Sequence, residues 1–569
     1  RVMKLDQLNP DTVVLRPAHS VMRLARMGSF HQSRLSFMRV LLRRLKAERW
    51  RFERRAFEID AKGVGHAVYT MHGPARSYSL VAFAHDLPPE QRSDRVIATA
   101  WDATFALFDG VPTNEDIQRL SRNIPLQEAG RVTASELTVS RANRSVRLFD
   151  HVVDCLSRGE QPDVGQVDAV GYLMRTTAVY GSGKLGAADR ESICDRPEFA
   201  APFQAEMLTV FLIRGFVLDL VEHLAVLRAP DRAVPLDPEL RRRFGIGNST
   251  GLGMAPFLLN HPILLNNWIE ARETALARVR ALPTASPVDA KAFRVMLRRG
   301  QRNVDDWHSE HALQCDKITK LKADLDTLTE HLETGALEKE MPWDCLYRWS
   351  ETALSLEGQE LLVALMMEPY GGLVDDLPAR MSADETAGFA IDGSMTVRQL
   401  RDIVAANYAW ALEIDWTLPE SQARAWYVSA EKLEPRLGER ESEPIAAYEQ
   451  PLAPGRDAAL LSSALASENA DTRVADMLLR HPEHRHIIRR VQIAARYPYA
   501  EIRDNTIAAD VLPIDLLRAK LSFFGACHFD PRSDRWVRIN MFRNAPFPHE
   551  VAQMEFAGWT YPAIQEILE

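Results

Sequence analysis

The run RFERRAFEID (51–60), followed by GHAVYTM (65–71), YSLVAFAH (78–85) and RVIATAWDATFALF (95–108), decides the fold. These segments are rich in β-branched and aromatic residues. Ala61-Lys62-Gly63, Gly73-Pro74 and Pro88-Pro89 separate them with turn chemistry. Short apolar runs of this kind divided by Gly and Pro predict an antiparallel meander of about four strands. Upstream, residues 19–50 read as one arginine-rich helix with Met22, Leu35, Met38, Leu41, Leu42 and Leu45 on its apolar side.

From about residue 113 the apolar spacing turns helical and stays so. Helices are predicted over 113–122, 143–157, 165–180, 201–228, 262–281, 288–300, 302–335, 343–367, 396–413, 470–480, 482–496 and 513–523, with one late strand at 535–541. Residues 369–395 and 433–458 carry enough Pro, Gly and charge to read as connections. The expected fold is therefore α+β and predominantly α-helical, a small N-terminal antiparallel sheet plus a large helical body. Three regions follow: 1–112 with the basic helix and meander, 113–368 as the helical body with glycine-rich loops, and 369–569 as a mixed, mostly helical end.

The chain has 569 residues, 46% of them hydrophobic and 26% charged, which is ordinary globular composition. Its formal net charge of −9 argues against a protein built to hold nucleic acid. The stretch Met207–Leu227 is the most apolar, but Arg214, Asp219, Glu222 and His223 interrupt it, so it reads as a buried core helix and no membrane span is expected. Cys155, Cys194, Cys315, Cys345 and Cys527 are scattered and odd in number, which fits a reduced, cytoplasmic setting. The first residues show no charged, apolar and small-residue segments in the order of a secretory leader. A helix-rich body of this size is compatible with a homo-oligomer, although no heptad seam demands one.

Two glycine-rich segments carry the chemistry. The first runs from Arg175 through Tyr180, Gly181, Ser182, Gly183 and Lys184 to Gly186. Glycines let backbone N–H groups converge on an anion, and Lys184 and Arg175 add charge. The spacing is not that of a P-loop, because Leu185 follows the lysine; the alternative is a helix cap with a solvated lysine. The second, Gly245 to Pro256, places Asn248, Ser249, Thr250, Gly251 and Gly253 before an apolar helix. It suits a backbone pressed against a ligand, or a capped connection between helices. No βαβ pattern is visible around it, so it is not a dinucleotide fingerprint. His261, just beyond, can titrate near neutral pH and is a candidate general acid or base.

These features point to an enzyme acting on a small anionic metabolite or using a phosphate-bearing organic cofactor such as a flavin or nucleotide. Lys184 and His261 would be catalytic. Arg175, Tyr180, Gly181, Ser182, Gly183, Asn248, Ser249, Thr250, Gly251 and Gly253 would bind the ligand. The reaction class stays open between oxidoreductase and lyase. A second reading is a metal-dependent oxidoreductase, with Asp305, His308, His311 and Cys315 on one helical face and Asp219, Glu222 and His223 on another. The opposing reading is a polar face on a long helix. A third is a binding or assembly protein using the arginines and aromatics of 19–57, against inward pairing of those arginines with acids. Further clusters at 481–490, 426–436 and 527–536 read as ligand contacts or as salt-bridged turns.

Overall fold

The computed structural model describes residues 14–91, 100–125, 133–176, 190–249, 261–305, 307–381, 388–418, 426–429, 435–437, 449–452, 454–503, 514, 518–525, 528–530 and 538–553. The meander is present and longer than expected. Strands β1 (Arg51–Ile59), β2 (Gly65–His72), β3 (Ser77–Ala84), β4 (Ala103–Asp109) and β5 (Glu136–Arg144) pair antiparallel in sequence order. Strand β6 (Tyr172–Thr176) adds antiparallel to β5, and β7 (Gly245–Ser249) adds parallel to β6.

Three short strands, β8 (Trp426–Ser429), β9 (Pro435–Leu437) and β10 (Glu449–Leu452), form a separate sheet in the order β10-β8-β9. The last two, β11 (His528–Asp530) and β12 (Arg538–Met541), return to the main sheet, which has nine strands in the order β1-β2-β3-β4-β5-β6-β7-β12-β11.

This corrects the expectation of a small, purely antiparallel N-terminal sheet. The sheet is large and mixed, while the body around it is helical. Of the helices expected over 143–157 and 165–180, only Phe149–Ser157 and Val164–Val170 form among the described residues; the chain is strand up to Arg144 and again over Tyr172–Thr176. Gly171, at φ 74°, ends the helix Val164–Val170 in the left-handed conformation that glycine adopts without a Cβ penalty. The chain then runs extended as β6, and the Gly171 carbonyl accepts from Gly245 N, opening the parallel pair.

Parallel strands need a long crossover, and here it includes the 25-residue helix Gln204–Arg228. That helix is apolar on all sides, the mark of a helix enclosed by protein. Tyr69, Leu80, Ala82, Phe105 and Leu107 of the sheet share one core with its Met207, Phe211, Leu212, Phe216 and Leu220. Each such fully buried side chain stabilises by roughly 1.5–3 kcal/mol. The alternate residues Val68, Val81, Phe83, Ala106, Phe108 and Val139 point the other way and pack on Leu120 of the helix Asn114–Asn123 and on Ile124, which caps it. Among the described residues no helix is long and apolar enough to cross a membrane.

Arg214, buried mid-helix, donates to the carbonyls of Phe244, Ala545 and Arg242 at 2.7, 3.0 and 3.1 Å, tying the C-terminal segment to the central helix.

Residues 19–50 form three helices, Ala18–Val21, Leu24–Met27 and Phe37–Ala47, rather than one. Their arginines turn inward. Arg16 bridges Glu273 and Glu360, each at 2.8 Å, and Arg39 holds Glu368 at 2.5 and 2.7 Å. Arg34 grips Asp375 through two bonds of 2.7 and 2.8 Å. The N-terminal segment is thereby clamped to the helices Pro262–Arg280 and Leu356–Met366. The stretch 302–335 divides into Pro287–Asp305 and Ala312–Leu332, and 343–367 into Pro342–Ala353 and Leu356–Met366. A second core joins Val397–Leu412, Pro454–Ala466 and Arg485–Arg496 through Leu400, Tyr408, Leu461 and Ile488.

A polar row at the end of the parallel strand pair

The chain leaves β6 at Thr176 and β7 at Ser249, and both glycine-rich segments begin there. Because the strands are adjacent and parallel, with Arg175 opposite Gly247, both exits lie at the same end of the sheet. Gly247 is required at this close approach. A Cβ there would fall 2.6 Å from the Tyr172 ring and 2.8 Å from Cγ of Arg175.

Register then assembles a row that no short stretch of sequence contains. Thr104 of β4 lies opposite Arg141 of β5, Asn143 of β5 opposite Arg175 of β6, and Gly247 of β7 opposite Asn540 of β12. Paired residues share a face, and side chains alternate along a strand. Thr104 also opposes Phe83, so Thr104, Arg141, Asn143 and Arg175 continue the face turned away from the central helix. All four are buried.

Around them, His85 Nε2 lies 3.2 Å from Thr104 Oγ1, and the Arg141 guanidinium sits 5.1 Å from the centre of the Trp101 ring. Asp102, just before β4, accepts from Arg144 N at 2.9 Å through Oδ2, and its own N–H donates to Asn143 Oδ1 at 3.2 Å. Burial pushes the His85 imidazole below its usual range while Asp102 opposes the shift, so His85 is held neutral at neutral pH. Buried polar groups cost free energy unless paired, so a row of this kind, with two arginines on one buried face, is an arrangement suited to a polar ligand.

Of the residues read from the sequence, Arg175 lies in this row. Asn248 and Ser249 are in β7, opposite Ile539 and Arg538, rather than in a loop. The parallel pair joined through the central helix also supplies the βαβ connection that the sequence did not display. Tyr180, Gly181, Ser182, Gly183, Lys184, Thr250, Gly251 and Gly253 lie outside the described residues. His261 is the residue before the helix Pro262–Arg280. In that helix Ile263 packs on Ile493 and Ala500.

His85, Asp102, Thr104, Arg141 and Asn143 were not read as site residues. For Arg141 and Asn143 the signal is faint, because they stand two and four positions after apolar Val139 but the intervening Ser140 is polar too, and the helical spacing over 143–157 hides the strand.

The helical metal set does not come together. Among the described residues no three His, Cys, Asp or Glu side chains gather as a metal would require. His308 falls in the break between two helices, so the one-face spacing with His311 and Cys315 is lost. Asp219 and Glu222 pair with Arg241 at 2.7 and 3.0 Å, and His223 bonds the Ile59 carbonyl at 2.8 Å. A separate cavity of about 700 Å³ is lined by Arg16, Arg26, Arg280, Asp344, Tyr347 and Arg348. Its charges are engaged with acids: Arg280 and Arg348 share Asp344, and Arg26 joins Arg16 on Glu360. Comparison of the chain with known protein families, characterised proteins and solved structures finds no match to any of them.

Proposed function

We propose that this chain is an enzyme acting on a small anionic metabolite, or using a phosphate-bearing cofactor, bound at the C-terminal end of the parallel β6–β7 pair. The observation that carries the reading is the common exit of the two glycine-rich segments beside buried Arg175. Ligands of α/β sheets bind outside the carboxyl ends of parallel strands, where backbone donors and basic side chains converge on anions. Arg141 and Arg175 bring positive charge to one face, and an arginine fork suits a phosphate or carboxylate.

In this reading Lys184 adds charge from the first glycine-rich segment. His85 is the neutral imidazole beside the row and the group best placed to take a proton. A reducing compartment such as the cytoplasm suits it, and the four described cysteines, Cys155, Cys194, Cys315 and Cys345, carry no disulfide.

The test is calorimetric titration of the purified chain with inorganic pyrophosphate, ATP and FMN, repeated on Arg175→Met. Micromolar binding of at least one probe that falls tenfold or more in Arg175→Met supports the site. Binding that survives the substitution, or no binding of any probe together with no ligand retained in native mass spectrometry, removes it.

A further inference from the structure

Asn143 is 4% exposed, so both ends of its amide are withdrawn from water. Its Oδ1 accepts from Asp102 N at 3.2 Å, which fixes the orientation of the amide, because the reversed group would set donor against donor. Among the described residues nothing accepts a hydrogen bond from its Nδ2. A buried, unmet amide donor costs on the order of what several good contacts provide, and native proteins carry few of them. This one stands directly opposite Arg175, on the same face, with its orientation fixed from behind by Asp102 and the β4–β5 pairing.

We infer that Asn143 is a ligand-binding residue whose Nδ2 donates to an anionic oxygen held jointly with Arg175. The inference rests on the function proposed above and deepens it. Cross-strand partners have Cβ atoms about 5 Å apart, a span over which an amide and a guanidinium can share one phosphate or carboxylate group. Such a ligand presents acceptor oxygens only. A ligand offering a donor at that point would leave the amide unmet, so the residue selects for an oxyanion over the corresponding amide, whose N–H would face it.

Two substitutions separate this role from a structural one. Asn143→Asp keeps the acceptor for Asp102 N but turns the donor into an anion. Asn143→Ala removes both and adds no charge. Pyrophosphate titration is run on wild type, both variants and Arg175→Met, with circular dichroism melting as the fold control. The expected result is about a tenfold weakening in Asn143→Ala, a larger loss in Asn143→Asp, and a melting temperature in Asn143→Asp close to wild type. If Arg175→Met loses binding while both Asn143 variants bind as wild type does, the role of Asn143 is overturned and the site stands. If Arg175→Met binds normally, or wild type does not bind, the site itself falls and the inference with it.

Discussion

Replacing Lys520 with methionine should stabilise the protein, by an amount that depends on pH. Lys520 opens the π-helical turn Lys520–Phe524 and is buried beside a core in which Phe523 stacks on Trp268 with ring centres 3.5 Å apart. Among the described residues nothing accepts from its Nζ. Burial alone lowers its pKa from the ordinary 10.5 to about 7. That difference is about 3.5 units, or about 5 kcal/mol against the native state wherever both states would be charged.

The sign follows from the proton count. Between about pH 7 and 10.5 the unfolded chain holds the proton and the folded chain has released it, so this group makes stability rise with pH across that window. Methionine occupies similar volume without the charge. The gain in Lys520→Met should be about 5 kcal/mol at pH 6 and only about 2 kcal/mol at pH 9, where about 1.5 units of the difference remain. Guanidinium unfolding of both proteins, followed by fluorescence at the two pH values, measures this directly. An equal difference at pH 6 and pH 9, or a loss of stability in the variant at both, would refute the assignment of a buried, largely discharged lysine.

Two further outcomes concern the clamps and a backbone contact. Glu360, surrounded by Arg16, Arg272 and Arg26, keeps its carboxyl down at about 2 despite burial. Its contribution is therefore full above the ordinary carboxylate range and lost as pH falls from about 4.5 toward 2. Glu360→Gln should destabilise by about 3–5 kcal/mol at pH 7 and show a shallower acid transition than wild type, read by denaturant melts down the pH series. Gly28→Ala would put a Cβ 2.2 Å from the carbonyl carbon of Arg518, a backbone atom that cannot turn aside. A loss of about 1–3 kcal/mol is expected in the same melts, and an unchanged midpoint would show that the two segments do not approach as described.

Some of this was legible in the sequence for local reasons. Strands β1 to β4 announce themselves by β-branched and aromatic residues between turns, and the helix Gln204–Arg228 by a long apolar run that only a few charged residues interrupt. The end of the helix Leu24–Met27 was not, because Gly28 reads locally as a tolerated helix residue while the backbone packed against it, that of Arg518, lies far along the chain. The five-residue strands β6 and β7 were hidden for a related reason. Short strands buried on both faces carry no clear two-residue period, and the extended conformation of Tyr172–Thr176 is stabilised by its neighbours in the sheet.

The candidate site divides along the same line. By itself the sequence determined which residues could meet an anion: two glycine-rich segments with Arg175 and Lys184 nearby, and a central helix too interrupted by charge to span a membrane. Only the tertiary structure decided that the two segments start side by side, and that Asn143, thirty-two positions from Arg175, is its cross-strand partner. Local propensity acts over a few residues, whereas strand register sets which distant side chains share a face. A slip of one residue in β5 would turn Asn143 toward the central helix and dissolve the row.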